Sequence, residues 1–301
     1  MESWKAESAL FVVTIIWGAT FLLTKIGLDG TTPSIFLLLR LSLALLISLI
    51  FFGKYLLRLN KTILAQGTVL GLLFGVGFLL QTYGLKFTSV SKTAFITGIT
   101  VVITPFVYFL VKKKAIGRWA KVGVIIASIG LYIFTKPDFD NLNIGDILTL
   151  LSTIMWAFYI TLMDTFTKGK SGMALTSNLV ILQFFISTLL FIISFFLFDF
   201  NNYKLVISNS LLIAVAFNGI LASFAVSFIH TAFQRYTTPV KAALIFSLEP
   251  LFAGTFAIIF INEILSTREY IGGGILFIGV MISELGVFLE PLLKKMKILN
   301  S

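Results

Sequence analysis

The sequence predicts an all-α membrane protein, with ten transmembrane helices in two inverted five-helix repeats around a central cavity. Three observations lead there. Of the 301 residues, 58% are hydrophobic and only 12% charged, and the mean hydropathy is +1.02. A soluble domain carries about 25% charged residues, and so few charges cannot cover a water-facing surface. Apolar runs of about 20 residues, long enough to cross hydrocarbon, recur between short basic clusters. The second half of the chain also repeats the first.

The runs lie near 8–28, 33–53, 64–84, 89–111, 117–135, 146–166, 174–198, 209–230, 239–260 and 270–290. Each is expected to be helical, because backbone polar groups in lipid have to be satisfied within the segment. The first run sits in "MESWKAESALFVVTIIWGATFLLTKIGL", which has one Lys between two Glu and no small-residue cleavage site. It therefore reads as a retained span.

The formal charge of +10 does not point to nucleic acid, because the basic residues fall in short clusters between spans and no recognition motif surrounds them. With the N-terminus in the cytoplasm, 16 of the 23 basic residues face inside: Lys5, Lys54, Arg58, Lys61, Lys112, Lys113, Lys114, Arg118, Lys121, Lys168, Lys170, Arg235, Lys241, Lys294, Lys295 and Lys297. Lys86, Lys92, Lys136, Lys204 and Arg268 face outside, and Lys25 and Arg40 lie within spans. This bias predicts a cytoplasmic-membrane protein with both termini inside. Cys is absent and His occurs once, so neither a thiol nucleophile nor a His or Cys metal cluster is expected. No metal, cofactor or enzyme activity is predicted.

"FTSVSKTAFI" (87–96) aligns with "YTTPVKAALI" (236–245), laying Lys92 on Lys241 at an offset of 149. The same offset carries Gly123 onto Gly272 and Gly130 onto Gly279, and an offset of 139 nearer the start lays Trp17 on Trp156 and Lys25 on Asp164. Two homologous units follow, 1–140 and 141–301. Five spans per unit make the second copy enter the membrane from the opposite side. Inverted repeats of this kind belong to transporters that bind solute near the midplane, where the halves meet.

The segments "IIWGATFLLTKIGL", "FLLLRLSLALL" and "YTTPVKAALIFSLEPLFAGTFAIIFINEILSTREYIGGGILFIGVMI" resemble the EamA family of the drug/metabolite transporter superfamily. The likeness runs through essentially the whole chain. It implies a ten-helix carrier, and export of amino acids, related metabolites or toxic compounds.

Glu249 is the leading candidate site residue. It stands eight residues into its span from Lys241, about 12 Å deep at helical rise. An acid there has to be paired, protonated or facing water, and so could bind a proton or a substrate amine, or tie two helices together. Pro250 removes a helical hydrogen bond and is expected to loosen the preceding turn, with Pro105 an approximately symmetric kink. Arg40 could pair with an acid or bind a solute carboxylate, and in the second case it would hold, with Glu249, the two ends of a zwitterion. Trp17, Trp156 and Tyr159 could offer aromatic walls or simply pack between bundle helices. Thr20, Gln81, Tyr83, Gln183 and Asn218 are further cavity candidates that could equally bond across helices. His230, opposite Gln81 in the repeat alignment, is expected at the cytoplasmic end of its span, where it packs at the interface or relays protons.

The expected partners are a small-molecule substrate and membrane lipid, with no nucleic acid, and the chain works as a monomer or homodimer. The expected mechanism is alternating access, with proton coupling or uncoupled diffusion as the two energy routes. The alternatives are a channel-like permease, or a membrane scaffold that would lack a central polar cavity.

Overall fold

The structure, a computed structural model, is described for residues 3–135, 143–170, 172–261 and 266–299, and for the side chains of these except 91, 135, 257, 258, 261 and 284–299. Lys136, the division between units at 140 and 141, and the side chains of Lys294, Lys295 and Lys297 lie outside that set. The first three spans are α1 (Ser3–Gly30), α2 (Pro33–Phe52) and α3 (Lys61–Phe87). The fourth is two pieces, α4 (Val90–Gly98) and α5 (Thr100–Lys112), and the fifth is α6 (Arg118–Thr135). The sixth and seventh are α7 (Ile144–Thr167) and α8 (Met173–Ser194). The eighth runs from α9 (Asn209–Ala216) through π-helical turns at Phe217–Ala225 into α10 (Val226–Phe233). The ninth is again two pieces, α11 (Pro239–Phe246) and α12 (Glu249–Ile261), and the tenth is α13 (Thr267–Leu299). Among the described residues there is no strand, only a single bridge between Thr31 and Leu205.

Local chemistry starts these helices, and does so alike in the two halves. The Ser89 hydroxyl accepts from the Lys92 N–H at 3.1 Å to cap α4. Thr238, its counterpart at the 149 offset, accepts from the Lys241 N–H at 3.3 Å to cap α11. Each cap satisfies a backbone donor that has no partner within the helix.

The two interrupted spans break at corresponding places. Around Ile99, tight bonds run from Ile99 N–H to Ile96 O (3.1 Å) and from Val102 N–H to Ile99 O (2.8 Å). Around Leu248 the same bonds run from Leu248 N–H to Ile245 O (3.1 Å) and from Leu251 N–H to Leu248 O (3.0 Å). Pro250 sits at the start of α12, where its missing N–H falls within the break. Its first-half counterpart is Val101, which makes the same break without a proline. Pro105 lies inside unbroken α5, six residues beyond Ile99. The break is therefore not made by Pro105: the repeat itself sets it, through three-residue turns that shorten the hydrogen-bond ladder at one point.

Glycines let the halves meet. A Cβ on Gly130 would lie 2.2 Å from Leu276 N and 2.8 Å from Gly272 O; one on Gly279 would lie 2.5 Å from Ala127 N and 2.9 Å from Gly123 O. Gly130 thus faces Gly272, the counterpart of Gly123, while Gly123 faces Gly279, the counterpart of Gly130. Such reciprocal pairing is the signature of a two-fold axis, and it makes α6 and α13 antiparallel, as an axis in the membrane plane requires. Elsewhere the halves interleave: α1 packs chiefly on α9 to α12 of the second half, and α7 chiefly on α3, α4 and α5 of the first.

Candidate functional site

At the centre, between the two broken spans, lies a cavity of about 590 Å³ with its open mouth included. Its lining draws on both halves in corresponding pairs. Trp17 and Trp156, Thr20 and Tyr159 (the 139 offset), and Gln81 and His230, Gly98 and Ser247, Thr100 and Glu249 (the 149 offset) all face it. Arg40, Phe78, Thr97, Ile160, Ala243 and Phe246 complete the wall. The positions are symmetric and their chemistry is not, because a two-fold frame repeats backbone placement while each side chain diverges on its own.

The hydroxyls are mostly turned to their own backbones: Thr20 donates to Trp17 O at 2.7 Å, Thr100 to Thr97 O at 2.6 Å and Ser247 to Leu244 O at 2.6 Å. Gln81 Nε2 donates to Thr97 Oγ1 at 3.0 Å. The charged groups differ. Among the described residues, no hydrogen bond or ion pair reaches the Glu249 carboxylate, which is 9% exposed. Arg40 Nε donates to Ser223 Oγ at 2.7 Å and its guanidinium lies 4.2 Å from the Phe78 ring centroid, yet its buried Nη2 has no partner among the described residues. An ammonium or guanidinium in apolar surroundings carries a desolvation penalty that a ring face and one hydroxyl offset only in part. Among the described residues, therefore, neither side chain meets a counter-charge across the cavity.

Aromatic rings join the two. Phe78 meets Trp156 edge to face at 4.9 Å, Trp156 meets Tyr159 at 5.9 Å, and Tyr159 meets His230 at 5.6 Å. His230 then touches Phe246 at 5.2 Å and Trp17 at 5.8 Å, and Trp17 touches Phe246 at 5.1 Å. All but the tilted Tyr159–His230 pair meet edge to face, a favoured ring geometry, so the belt is a continuous ring-lined surface running from Arg40 to the helix break beside Glu249.

His230 is thus not interfacial as expected. It is 1% exposed, bonded through Nε2 to Gln234 Oε1, and set in the cavity wall. Three other cavity candidates bond across helices instead of lining the cavity, the second of the two readings open to them. Tyr83 lies away from the cavity, donating to Asp199 Oδ2 at 2.9 Å and bonding Ser34 Oγ at 2.8 Å. Gln183 sits behind the wall, accepting from the Tyr159 hydroxyl at 3.0 Å. Asn218 donates to Ala214 O at 2.9 Å within its own helix and accepts from Thr24 Oγ1 at 3.4 Å across to α1. Phe78, Thr97, Gly98, Ile160, Ala243, Phe246 and Ser247 are lining residues that sequence reasoning passed over. Thr100, which falls on Glu249 at the 149 offset, is another, and that offset is the signal that finds Gly98 and Ser247 too. Tyr159→Phe is expected to lower thermal stability in detergent by about 1–3 kcal/mol, the penalty for stranding buried Gln183; an unchanged melting temperature would refute the bond's contribution.

The profile of the EamA-like transporter family matches residues 4–136 and again residues 143–285. An uncharacterized transporter of Archaeoglobus fulgidus is 30% identical over 282 residues, spanning 94% of this chain and 86% of that protein. The uncharacterized transporter YoaV of Bacillus subtilis is 27% identical over 163 residues, spanning 50% of this chain and 54% of YoaV. A solved crystal structure superposes with a TM-score of 0.75 over 95% of this chain and 98% of its own length at 12% identity, a likeness of fold. The twice-matched profile, the interleaved inverted halves and the cavity between them agree: this chain belongs to the EamA-like transporter family of the drug/metabolite transporter superfamily and is a multi-pass membrane transporter.

Proposed function

We propose that the chain carries small zwitterionic or amphipathic organic solutes, amino acids and related metabolites foremost, outward across the cytoplasmic membrane by alternating access. The observation that carries this reading is the pair of charges, Arg40 and Glu249, on one aromatic-walled cavity with no ion pair between them. Arg40 would take the solute carboxylate through its partnerless Nη2, Glu249 would take the amine, and the belt from Phe78 to Phe246 would cover the apolar body. The two units, 1–140 and 141–301, would rock about the axis at the α6–α13 seam. The Lys and Arg distribution supports both termini facing the cytoplasm, and the family resemblance supports export. Glu249, the only acid in the lining among the described residues, is the group through which a proton would exchange for solute.

Purified protein in proteoliposomes, tested for counterflow with labelled amino acids and amphipathic metabolites, checks this. Saturable counterflow of a zwitterion, altered by an imposed pH gradient, is the expected result. Flux that never saturates would replace the carrier with a channel, and counterflow indifferent to the gradient would remove the proton.

A further inference from the structure

Of the ion pairs among the described residues, all outside the cavity lining, two are turned into one another by the repeat. Lys241 Nζ lies 3.0 Å from Glu7 Oε1, and Thr237 Oγ1 donates to the same oxygen at 3.0 Å. Lys92 Nζ lies 3.1 Å from Asp146 Oδ2, and Thr88 Oγ1 donates to Asp146 Oδ1 at 2.6 Å. Lys92 and Thr88 fall on Lys241 and Thr237 at the 149 offset, and Glu7 falls on Asp146 at the 139 offset. A rim ion pair that served only local solvation would have no reason to recur, with all three members, in the inverted copy. Both acids are buried.

Their placement is as telling as their recurrence. Glu7 stands near the start of the first span and Asp146 near the start of the sixth, so five crossings put the two pairs on opposite faces. Each pair also joins the halves, an acid of one to a lysine of the other. Each lysine sits on a short half-helix, α11 or α4, that ends at a break lined onto the cavity through Ser247 or Gly98. Six residues separate Lys241 from Ser247 and likewise Lys92 from Gly98, about 9 Å of helix. A rod hinged at the cavity and pinned at its far end to the opposite half is a gate with a latch.

We infer that Glu7–Lys241 and Asp146–Lys92 are the latches of two gates, each opening the cavity to its own face while the other stays shut. The inference rests on alternating access. The lysines are part-exposed, but parting either pair while its face is closed would leave a buried acid without its counter-charge, at a heavy penalty. A gate that opens admits the water that solvates the acid, so the latch releases only where its own face is being flooded. The open state of one gate then has no means of unlatching the other, because that side remains dry.

The chain has no cysteine, so a single Thr97→Cys in the cavity wall reports access cleanly. The full-length protein in proteoliposomes would be labelled from each face with a membrane-impermeant methanethiosulfonate. Glu7→Gln is expected to raise the labelling rate from the face carrying Ser3 by about tenfold, the shift given by 1.4 kcal/mol of bias, and to lower it from the other face. Asp146→Asn should do the reverse. Asp146 also caps α7 through the Asn143 N–H, so Lys92→Gln and Lys241→Gln repeat each arm without touching a cap. The exchanged pair Glu7→Lys with Lys241→Glu should restore the original sidedness. Unchanged sidedness in the single variants, a rise from both faces at once, or failure of the exchanged pair to restore it each overturn the latches. Labelling needs no solute, so this result is independent of whether counterflow is found.

Discussion

Gly130→Ala is expected to abolish the folded protein in detergent, or to lower its stability by more than about 3 kcal/mol, beyond the usual range for overpacking. The added Cβ would stand 2.2 Å from Leu276 N and 2.6 Å from Leu276 Cα. Those are backbone atoms, which cannot swing aside as a side chain does, so the whole α6–α13 contact has to open. The effect should be matched at Gly272, whose Cβ would stand 2.2 Å from Phe134 N. Gly274, on the same helix as Gly272, has nothing within 4 Å of an added Cβ. Gly274→Ala should therefore hold or gain stability, by up to about 1 kcal/mol from helix propensity alone. Thermal unfolding followed by size-exclusion chromatography compares the three. Equal melting temperatures for Gly130→Ala and Gly274→Ala would show that the seam is not tight.

Arg40→Ala is expected to lower the transport efficiency for a carboxylate-bearing solute by about 10- to 150-fold, the equivalent of the 1.5–3 kcal/mol of a hydrogen bond to a charged group. A carboxyl-free amine of the same body should lose far less. Glu249→Gln should give the mirror pattern, impairing amine-bearing solutes and sparing their deaminated analogues. Initial rates in proteoliposomes over the crossed set of solutes measure this, alongside the melting temperature of each variant, because Arg40 also holds Ser223 and stacks on Phe78. Uniform losses across all solutes would make both residues structural and remove the two-ended binding scheme.

Much of this frame was legible in the sequence, for reasons that differ between residues. Span number and repeat came through because hydropathy and glycine spacing are properties of whole segments. Trp17 and Trp156 could be placed together because a rare residue recurring at one offset marks a position of the fold. Tyr83, Gln183 and Asn218 could not be separated from true lining residues, since a polar group in a span serves a cavity or a neighbouring helix depending on which way its face turns. Phe78 and Phe246 were invisible among 32 phenylalanines. His230 was misplaced because its eighth span continues past it through Gln234 to Tyr236. The latches were hidden in plain view: the lysines were seen as a repeat pair, but the acids belong to the other offset, and only packing brings the two offsets together.

The interleaving of the halves has a consequence for the order in which the chain is made. Made before the other spans described, α1 has its principal neighbours in α9 to α12, which are synthesised some 180 residues later. It has to wait in the bilayer with only its smaller contacts to α2, α3 and α4 in reach, apolar enough to remain there, while the middle of the protein assembles around α3 and α7. The last spans to emerge then collect the first. Birth of the second half is what completes the first, so neither unit is a finished object before the other exists.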